Sequence, residues 1–591
     1  MSARTQPATR AEYGSDLIVD LLGKLDVEFA ALNPGATFRG LHDSIVNYGG
    51  NTRPQIVLCC HEEIAVAVAH GYGKAKGRPM AAIVHDLVGL LHAQMAVYIA
   101  WLDRAPVLVL GATGPMAIEQ RRPWIDWIHT ALVQGQAVRD YVKWDDQPAS
   151  LQGIVESSIR AYRIAMTEPR GPVYLCFDAA LQEQRLEESV AIPQVGRFGP
   201  PRAAQGDPAA VDQAARWLVD AEDPVIIAGH VGRKAGGVDG LVELAEAVGA
   251  PVVDLGSRFN FPNTHPLDLT GAEEPLLGKA DLVLALDVFD LEKALAKVDR
   301  TSRLRLPLIG GHTRLIHISM NDLLVRSWAQ EQGHLHPVDL PIAADTSGAL
   351  AALAARCREL TATDPRWPAR RAQRLSGYGT KHDQLRLRWR EEAERLRDAR
   401  PIAMARLATE LWDVVKDEDW VLVNRALRGW TRRLWDWTQP HQYVGALMGG
   451  GVGYGIGHAI GAALAHRDAG RLCIDIQPDG DLLYTPSGLW TAAHHRVPLL
   501  VVMYNNRSYY NDEDHQILIA KSRGRPVENA HIGLRIDEPP VDFAGLARSF
   551  GLYGDGPIED PADLRPALER AVRYVKEQRG PALVDIVTES R

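Results

Sequence analysis

The stretch from Leu472 to Asn506 constrains this chain more than any other. Its first part alternates apolar side chains (Leu472, Ile474, Ile476) and breaks at Pro478-Asp479-Gly480-Asp481. A helix-length segment from Ser487 to His495 follows, and a second apolar run, Leu499 to Met503, ends at Asn505-Asn506. A strand, an acidic glycine turn, a helix and a strand make one βαβ unit. Its crossover brings the turn and the paired amides to the carboxyl ends of parallel strands, the edge where open α/β sheets take ligands. Asp479 is therefore expected to face Asn506. A carboxylate, an amide oxygen and a nearby backbone carbonyl are hard oxygen donors of the kind Mg²⁺ accepts, with phosphate oxygens and water completing the octahedron.

At 591 residues the chain exceeds one core, and its length suggests three or four domains. With 46% apolar and 24% charged residues it reads as globular, and a net charge of −9 gives no basic field for nucleic acid. The five cysteines lack CxxC spacing and read as buried thiols of a reducing compartment. No signal-like opening and no apolar run of about 18 residues is present, so a cytoplasmic protein away from membranes is expected.

Apolar strands alternate with helical patterns throughout, which predicts an α/β protein of doubly wound parallel-sheet domains. The first module, residues 11–190, runs from a helix at Gly14 through strands at Val27–Leu32, Gln55–Leu58, Ala81–Val84 and Pro106–Leu110 to one at Pro172–Leu175. A Pro- and Gly-rich linker leads to a second module, 208–360, and a charged stretch, 361–400, reads as a solvated linker helix. The third module, 401–591, holds the opening stretch and repeats the architecture of the first. Residues 1 to 10 are polar and read as disordered.

The strand, acidic turn, helix and paired Asn resemble the diphosphate and metal motif of thiamine diphosphate (ThDP) enzymes of the acetolactate synthase and benzoylformate decarboxylase type. Pro478 departs from the first Gly of the family triplet. The resemblance implies pyrimidine-binding, middle and diphosphate-binding domains in that order, and a metal held by Asp479, Asn506 and the backbone of Ser508. Gly480 and Asp481 are implied beside the cofactor. The run from His61 to Tyr72 is similar to the family's pyrimidine-side segment, which makes Glu62 the acid at the pyrimidine nitrogen. Placement at an apolar helix start is expected to raise its pKa. The plain alternative, an acid that complements a helix dipole, is preferred for Glu63.

The run Gly449 to Gly457 lacks the downstream acid of a nicotinamide site. It resembles the family segment in which an apolar residue, here Val452, wedges the cofactor between glycines such as Gly450 and Gly453. Asn33-Pro34-Gly35, His85 and the run Leu489 to Ala493 look like benzoylformate decarboxylase, which implies Pro34 at the cofactor and His85 at the substrate. Asp512 falls where pyruvate decarboxylase carries a proton-handling acid, and the alternative is a solvated lid. The loop Arg121 to His129 sits where the family approaches a partner's thiazolium, either walling a pocket or packing an interface. The middle module reads Asp287-Val288-Phe289-Asp290, without the Arg of a flavin segment, which argues against FAD; an ADP or CoA moiety there stays open.

The resemblance thus implies ThDP- and Mg²⁺-dependent cleavage or formation of a C–C bond on a 2-keto acid or 2-hydroxy carbonyl substrate, through a thiazolium ylide and an enamine. Active sites between subunits of a homodimer or homotetramer follow from it. Decarboxylase, lyase and carboligase remain open, with an acetolactate synthase-like carboligase and a 2-hydroxyacyl-CoA lyase as rivals. A non-catalytic assembly subunit that keeps the fold is the alternative from another class.

Overall fold

The computed structural model describes residues 10–123, 126–323, 330–331 and 333–590. The expectation for the first nine residues, and Trp124 and Ile125 of the aromatic loop, lie outside them. In chain order the first sheet comprises β1 (Phe29–Leu32), β2 (Gln55–Leu58), β3 (Met80–Ile83), β4 (Val107–Thr113), β5 (Asp145–Asp146) and β6 (Val173–Asp178), ordered β2-β1-β3-β4-β6-β5. All its pairings are parallel. Strand order reverses between β1 and β3, so the crevice beyond their carboxyl ends receives the turn at Asn33 and the residue His85.

The middle sheet contains β7 (Pro224–Ala228), β8 (Val252–Asp254) and β9 (Leu282–Leu286). A small antiparallel ribbon, β10 (Ala296–Val298) and β11 (Arg305–Pro307), precedes β12 (Arg314–Ile318) and β13 (Leu340–Ile342). Its order is β13-β12-β9-β7-β8. The third sheet uses β14 (Trp420–Leu422), β15 (Leu472–Pro478), β16 (Leu499–Asn505), β17 (Tyr553–Ile558) and β18 (Ala582–Val587), ordered β14-β15-β16-β18-β17. Central strands are covered on both faces, which is why β4 and most of β16 read as unbroken apolar runs.

Helices Glu62–Lys76 and Gly455–His466 share one apolar core that joins the first and third domains. Their backbones touch: a Cβ on Gly71 would lie 2.0 Å from the His458 carbonyl oxygen, and one on Gly461 1.9 Å from that of Val68. Only glycine permits that approach.

The charged stretch is more than a solvated linker. It forms helices Trp367–Leu375 and Tyr378–Arg395, and the buried Arg374 guanidinium donates to the carbonyls of Val248 (2.7 Å) and Leu218 (3.1 Å). Arg386 similarly donates to the Asn263 carbonyl at 3.1 Å, so the stretch straps the middle domain. Composition shows charge; it does not show which guanidinium finds a helix C-terminus. The five cysteines are unpaired and all but Cys60 are buried. Among the described residues no helix is long and apolar enough to cross a membrane.

Candidate active site

Glu62 opens helix Glu62–Lys76, whose N-terminus is capped by the His61 ring accepting from the Glu63 N–H at 3.1 Å. Its carboxyl is buried yet fully engaged: Asn33 Nδ2 donates to Oε1 at 2.9 Å, and His92 Nδ1 lies 3.1 Å from Oε2. The expected rise in its pKa is not what the structure gives. Burial does push the carboxyl up, but hydrogen bonds from Asn33, from its own backbone N–H and from His92 outweigh it, and the net shift is downward. Glu63, which lacks such donors, is pushed up to about 7 by burial and by Asp481. Gly89, one turn into helix Asp86–Leu102, lets that helix close on Glu62, since a Cβ there would meet its Cγ at 3.1 Å.

His85 precedes the same helix, pressed on the Asn33-Pro34-Gly35 turn: a Cβ on Gly35 would sit 2.3 Å from that of His85. Its Nδ1 is 3.0 Å from Thr37 Oγ1 and its Nε2 is 3.1 Å from His129 Nδ1. Burial and the His129 ring lower its pKa. Pro34 is exposed at the tip of the turn.

On the third sheet, β15 and β16 stay in register to the Pro478–Tyr504 pair, so Asp479 and the Asn pair leave neighbouring strand ends together. The predicted acidic turn is the first turn of a short helix, Asp479–Tyr484, with Pro478 before its first residue, a position that needs no N–H. Asp479 is buried, and burial pushes its carboxyl up to about 6 against backbone N–H groups of Gly480, Arg507 and Ser508. Its Oδ2 makes no hydrogen bond among the described residues. A buried carboxylate oxygen without a partner is costly unless a cation or proton completes it, which fits an Mg²⁺ site. Asn506 Oδ1 accepts from the Ser508 N–H at 3.0 Å, and the Ser508 hydroxyl donates to Glu513 at 2.8 Å. Gly480 lies under the Tyr509 ring, 2.5 Å from where its Cβ would be.

Asp481 has a structural task. It accepts from the N–H groups of Gly453 (2.8 Å) and Gly455 (3.2 Å) and from Gln477 Nε2 at 2.7 Å, and so folds the glycine-rich loop. In that loop Gly449, Gly450 and Gly453 have left-handed backbones, and Val452 is half-buried between the last two. Its other anchor is Asp103, which accepts from the Met448 N–H at 3.0 Å and from Lys74 Nζ at 2.7 Å, with His70 Nε2 at 3.0 Å. Burial opposes the Asp103 charge, but Lys74 and His70 hold its carboxyl far below the usual range. The helix that begins with Glu62 is thereby tied to the loop that ends at Gly453.

Asp512 is exposed on the first turn of helix Tyr510–Ser522, two residues from Asp514, which pairs with Arg300 of the middle domain at 3.1 Å. In the middle domain, Asp287 pairs with Arg104 (2.7 Å) and Arg233 (3.0 Å), and Arg233 also meets Glu168 and Asp345. Asp287, in the stretch that lacks the Arg of a flavin segment, is consumed by ion pairs that join two domains. Beside this network lies a cavity of about 400 Å³ lined by Lys74, Lys76, Arg170, Arg233, Lys234 and Arg258. Burial lowers the Arg258 guanidinium to about 10, and among the described residues no carboxylate lies within ion-pair distance of it.

Asn33, Thr37, His92 and His129 are the site residues that sequence reasoning did not weigh. A sequence signal existed for Asn33, as the residue before Pro34 at the end of an apolar strand, and for His129, as the last residue of the aromatic loop.

Residues 13–136, 211–353 and 426–586 match, in turn, the N-terminal TPP binding domain, the central domain and the C-terminal TPP binding domain of thiamine pyrophosphate enzymes. A Methanocaldococcus jannaschii protein named as a probable acetolactate synthase large subunit is 24% identical over 97% of this chain and 91% of its own length. Benzoylformate decarboxylase of Pseudomonas aeruginosa is 29% identical over 42% of this chain and 49% of that protein. The crystal structure of benzoylformate decarboxylase from Polynucleobacter necessarius superposes with a TM-score of 0.76, covering 98% of this chain and 99% of that one at 19% identity. With all three domain types matched in order, and with the fold of its solved neighbours, this chain belongs to the thiamine pyrophosphate enzyme family.

Proposed function

We propose that the protein is a ThDP- and Mg²⁺-dependent enzyme that breaks or makes a C–C bond beside the carbonyl of a 2-keto acid or 2-hydroxy carbonyl compound, acting in a reducing cytoplasm. The observation that carries this reading is the buried Asp479 Oδ2, without a partner among the described residues, at the carboxyl edge of β15 and β16 beside Asn506 and Ser508. Asp479, Asn506 and the Ser508 carbonyl would hold the metal, with Gly480 and Asp481 at the diphosphate. Gly450, Val452, Gly453 and Pro34 would line the rings. Once bound, the thiazolium ring supplies an electron sink for cleavage next to a carbonyl. Glu62 would share a proton with the pyrimidine nitrogen, its carboxyl oriented by Asn33 and His92. His85 and Asp512 stand as candidates for handling protons at the substrate.

The cofactor would lie between the first domain of one subunit and the third of another, in a homodimer or homotetramer. Leu91 and Ile128 support this: they are apolar, 49% and 82% exposed, and next in the chain to His92 and His129, which contact Glu62 and His85. A second reading, a phosphate-bearing substrate such as a 2-hydroxyacyl-CoA or a nucleotide in the middle domain, is favoured by the cation-lined cavity.

Turnover of aliphatic and aromatic 2-keto acids, acyloins and 2-hydroxyacyl-CoA esters, with and without ThDP and Mg²⁺, tests both readings. Product formation that requires both cofactors is expected. Tight ThDP binding with no turnover of any of them would instead favour a non-catalytic family member.

A further inference from the structure

His85 is the histidine that the resemblance puts at the substrate, yet both of its ring nitrogens are already committed, Nδ1 to Thr37 Oγ1 and Nε2 to His129 Nδ1. His129 has one nitrogen left: among the described residues its Nε2 has no hydrogen-bond partner, and the ring is half-buried. The segment that carries it is latched down on three sides. Its carbonyl accepts from the Leu87 N–H at 3.1 Å; the next residue, Thr130, contacts Asp86 at 3.2 Å and donates to the Asp126 carbonyl at 2.7 Å; and Gly114 N–H donates to the Thr130 hydroxyl at 2.9 Å. Asp126 is in turn held by Arg122 at 2.6 Å. An imidazole backed by a second group that fixes its tautomer, with its far nitrogen free, is the arrangement of a working general acid.

We propose that His129, rather than His85, presents the proton-carrying nitrogen to the substrate, and that Thr37 and His85 are positioning residues behind it. The inference rests on the reading above. The proposed tautomer is one of those that the two contacts allow: His85 Nδ1–H donates to Thr37 Oγ1, and His129 Nδ1–H donates to His85 Nε2. His129 then takes up its second proton on Nε2. When cleavage beside the carbonyl leaves an electron pair on the substrate carbon, the Nε2–H bond breaks, a C–H bond forms, and the N–H pair of electrons remains on Nε2. Both rings end neutral with their hydrogen bonds unchanged, and water returns the proton. Two imidazoles whose facing nitrogens are 3.1 Å apart do not both carry charge, which agrees with the downward shift of His85 caused by burial and by its neighbour. The other charged groups that face the pair are Glu62 and Asp126, with Asp86 behind Thr130.

The first test needs no turnover. Diethyl pyrocarbonate acts on neutral, accessible imidazole nitrogens, and peptide mass mapping of the cofactor-free full-length protein should find His129 modified quickly and His85 protected, with His85 becoming reactive in His129→Ala. Faster modification of His85 in the unaltered protein overturns the proposal. With the holoenzyme and whichever 2-keto acid it turns over, His129→Gln should lower kcat by about 10²-fold and remove the titrating limb from its pH profile. His85→Gln and Thr37→Val should keep that limb and move it. The reverse ranking overturns the proposal. Exchange of the thiazolium proton of bound ThDP should be unchanged in all three variants; its absence from the unaltered protein would remove the parent reading itself and this inference with it.

Discussion

Replacing Asp103 with Leu tests whether the glycine-rich loop and the Glu62 helix are one mechanical unit. The Asp103 side chain is 1% exposed, accepts Lys74 and the Met448 N–H, and contacts His70. Its loss strands the Lys74 ammonium, also 1% exposed, with the Ala446 carbonyl at 2.7 Å and a long contact to Gly445 as its remaining acceptors among the described residues. Removing one partner of a buried pair costs about 3–5 kcal/mol, because the other charge stays buried without compensation. For a cooperative unit of one or two domains that is a fall in melting temperature of about 10 °C, read by calorimetry. ThDP affinity should fall as well, since Met448 leads directly into Gly449 and Gly450. Pairing Asp103→Leu with Lys74→Met removes both charges and should recover most of the stability. A single variant that melts with the unaltered protein, or a double variant that melts lower than the single, would refute the reasoning.

Four further outcomes follow from the same geometry. Asp479→Asn should abolish Mg²⁺-dependent ThDP binding in calorimetric titration, whereas unimpaired binding would remove Asp479 from the metal site. Because its carboxyl sits near 6 and the metal requires the ionised form, Mg²⁺ loading of the free protein should be complete above that pH and decline as pH falls through about 6; a flat profile down to pH 4 contradicts it. The same raised value means that the metal-free protein gains stability at this group as pH falls from about 6 toward the unfolded value, the reverse of a paired carboxylate. Gly35→Ala drives a Cβ to within 2.3 Å of His85, so it should cost about 1–3 kcal/mol and lower turnover while leaving Mg²⁺ binding intact; equal kinetics would show that the turn has room to move.

The βαβ unit was legible in the sequence because its signals are local: alternation, an acidic glycine turn, a helix length, a second apolar run. Glu62 was legible as part of a motif. What holds Glu62 was not, since Asn33 and His92 lie 29 and 30 positions away on other elements and meet it only through sheet order. The direction of its pKa shift depends on those two contacts together with its own backbone N–H, and failed with them. His129 was visible as the last residue of an aromatic loop, but nothing in spacing says that it would reach His85. His70 and Lys74, one helical turn apart and followed by Asp103, were the nearest to a missed signal, because buried polar residues on an apolar helix face demand partners. The middle-domain acids show the converse: Asp287 was noted as an acid, and only the fold shows Arg104 and Arg233 consuming it.

The central claim is that Glu62 of one subunit and Asp479 of another serve the same cofactor. Glu62→Gln and Asp479→Asn homo-oligomers should each be inactive. If the two are unfolded together and refolded as a mixture, half of the dimers carry one chain of each kind, and in those dimers one site receives both intact residues, so about one quarter of the unaltered activity should return. A mixture as inactive as its parents, in which mixed oligomers have been verified by mass, would place both residues in sites built from single chains and contradict the account.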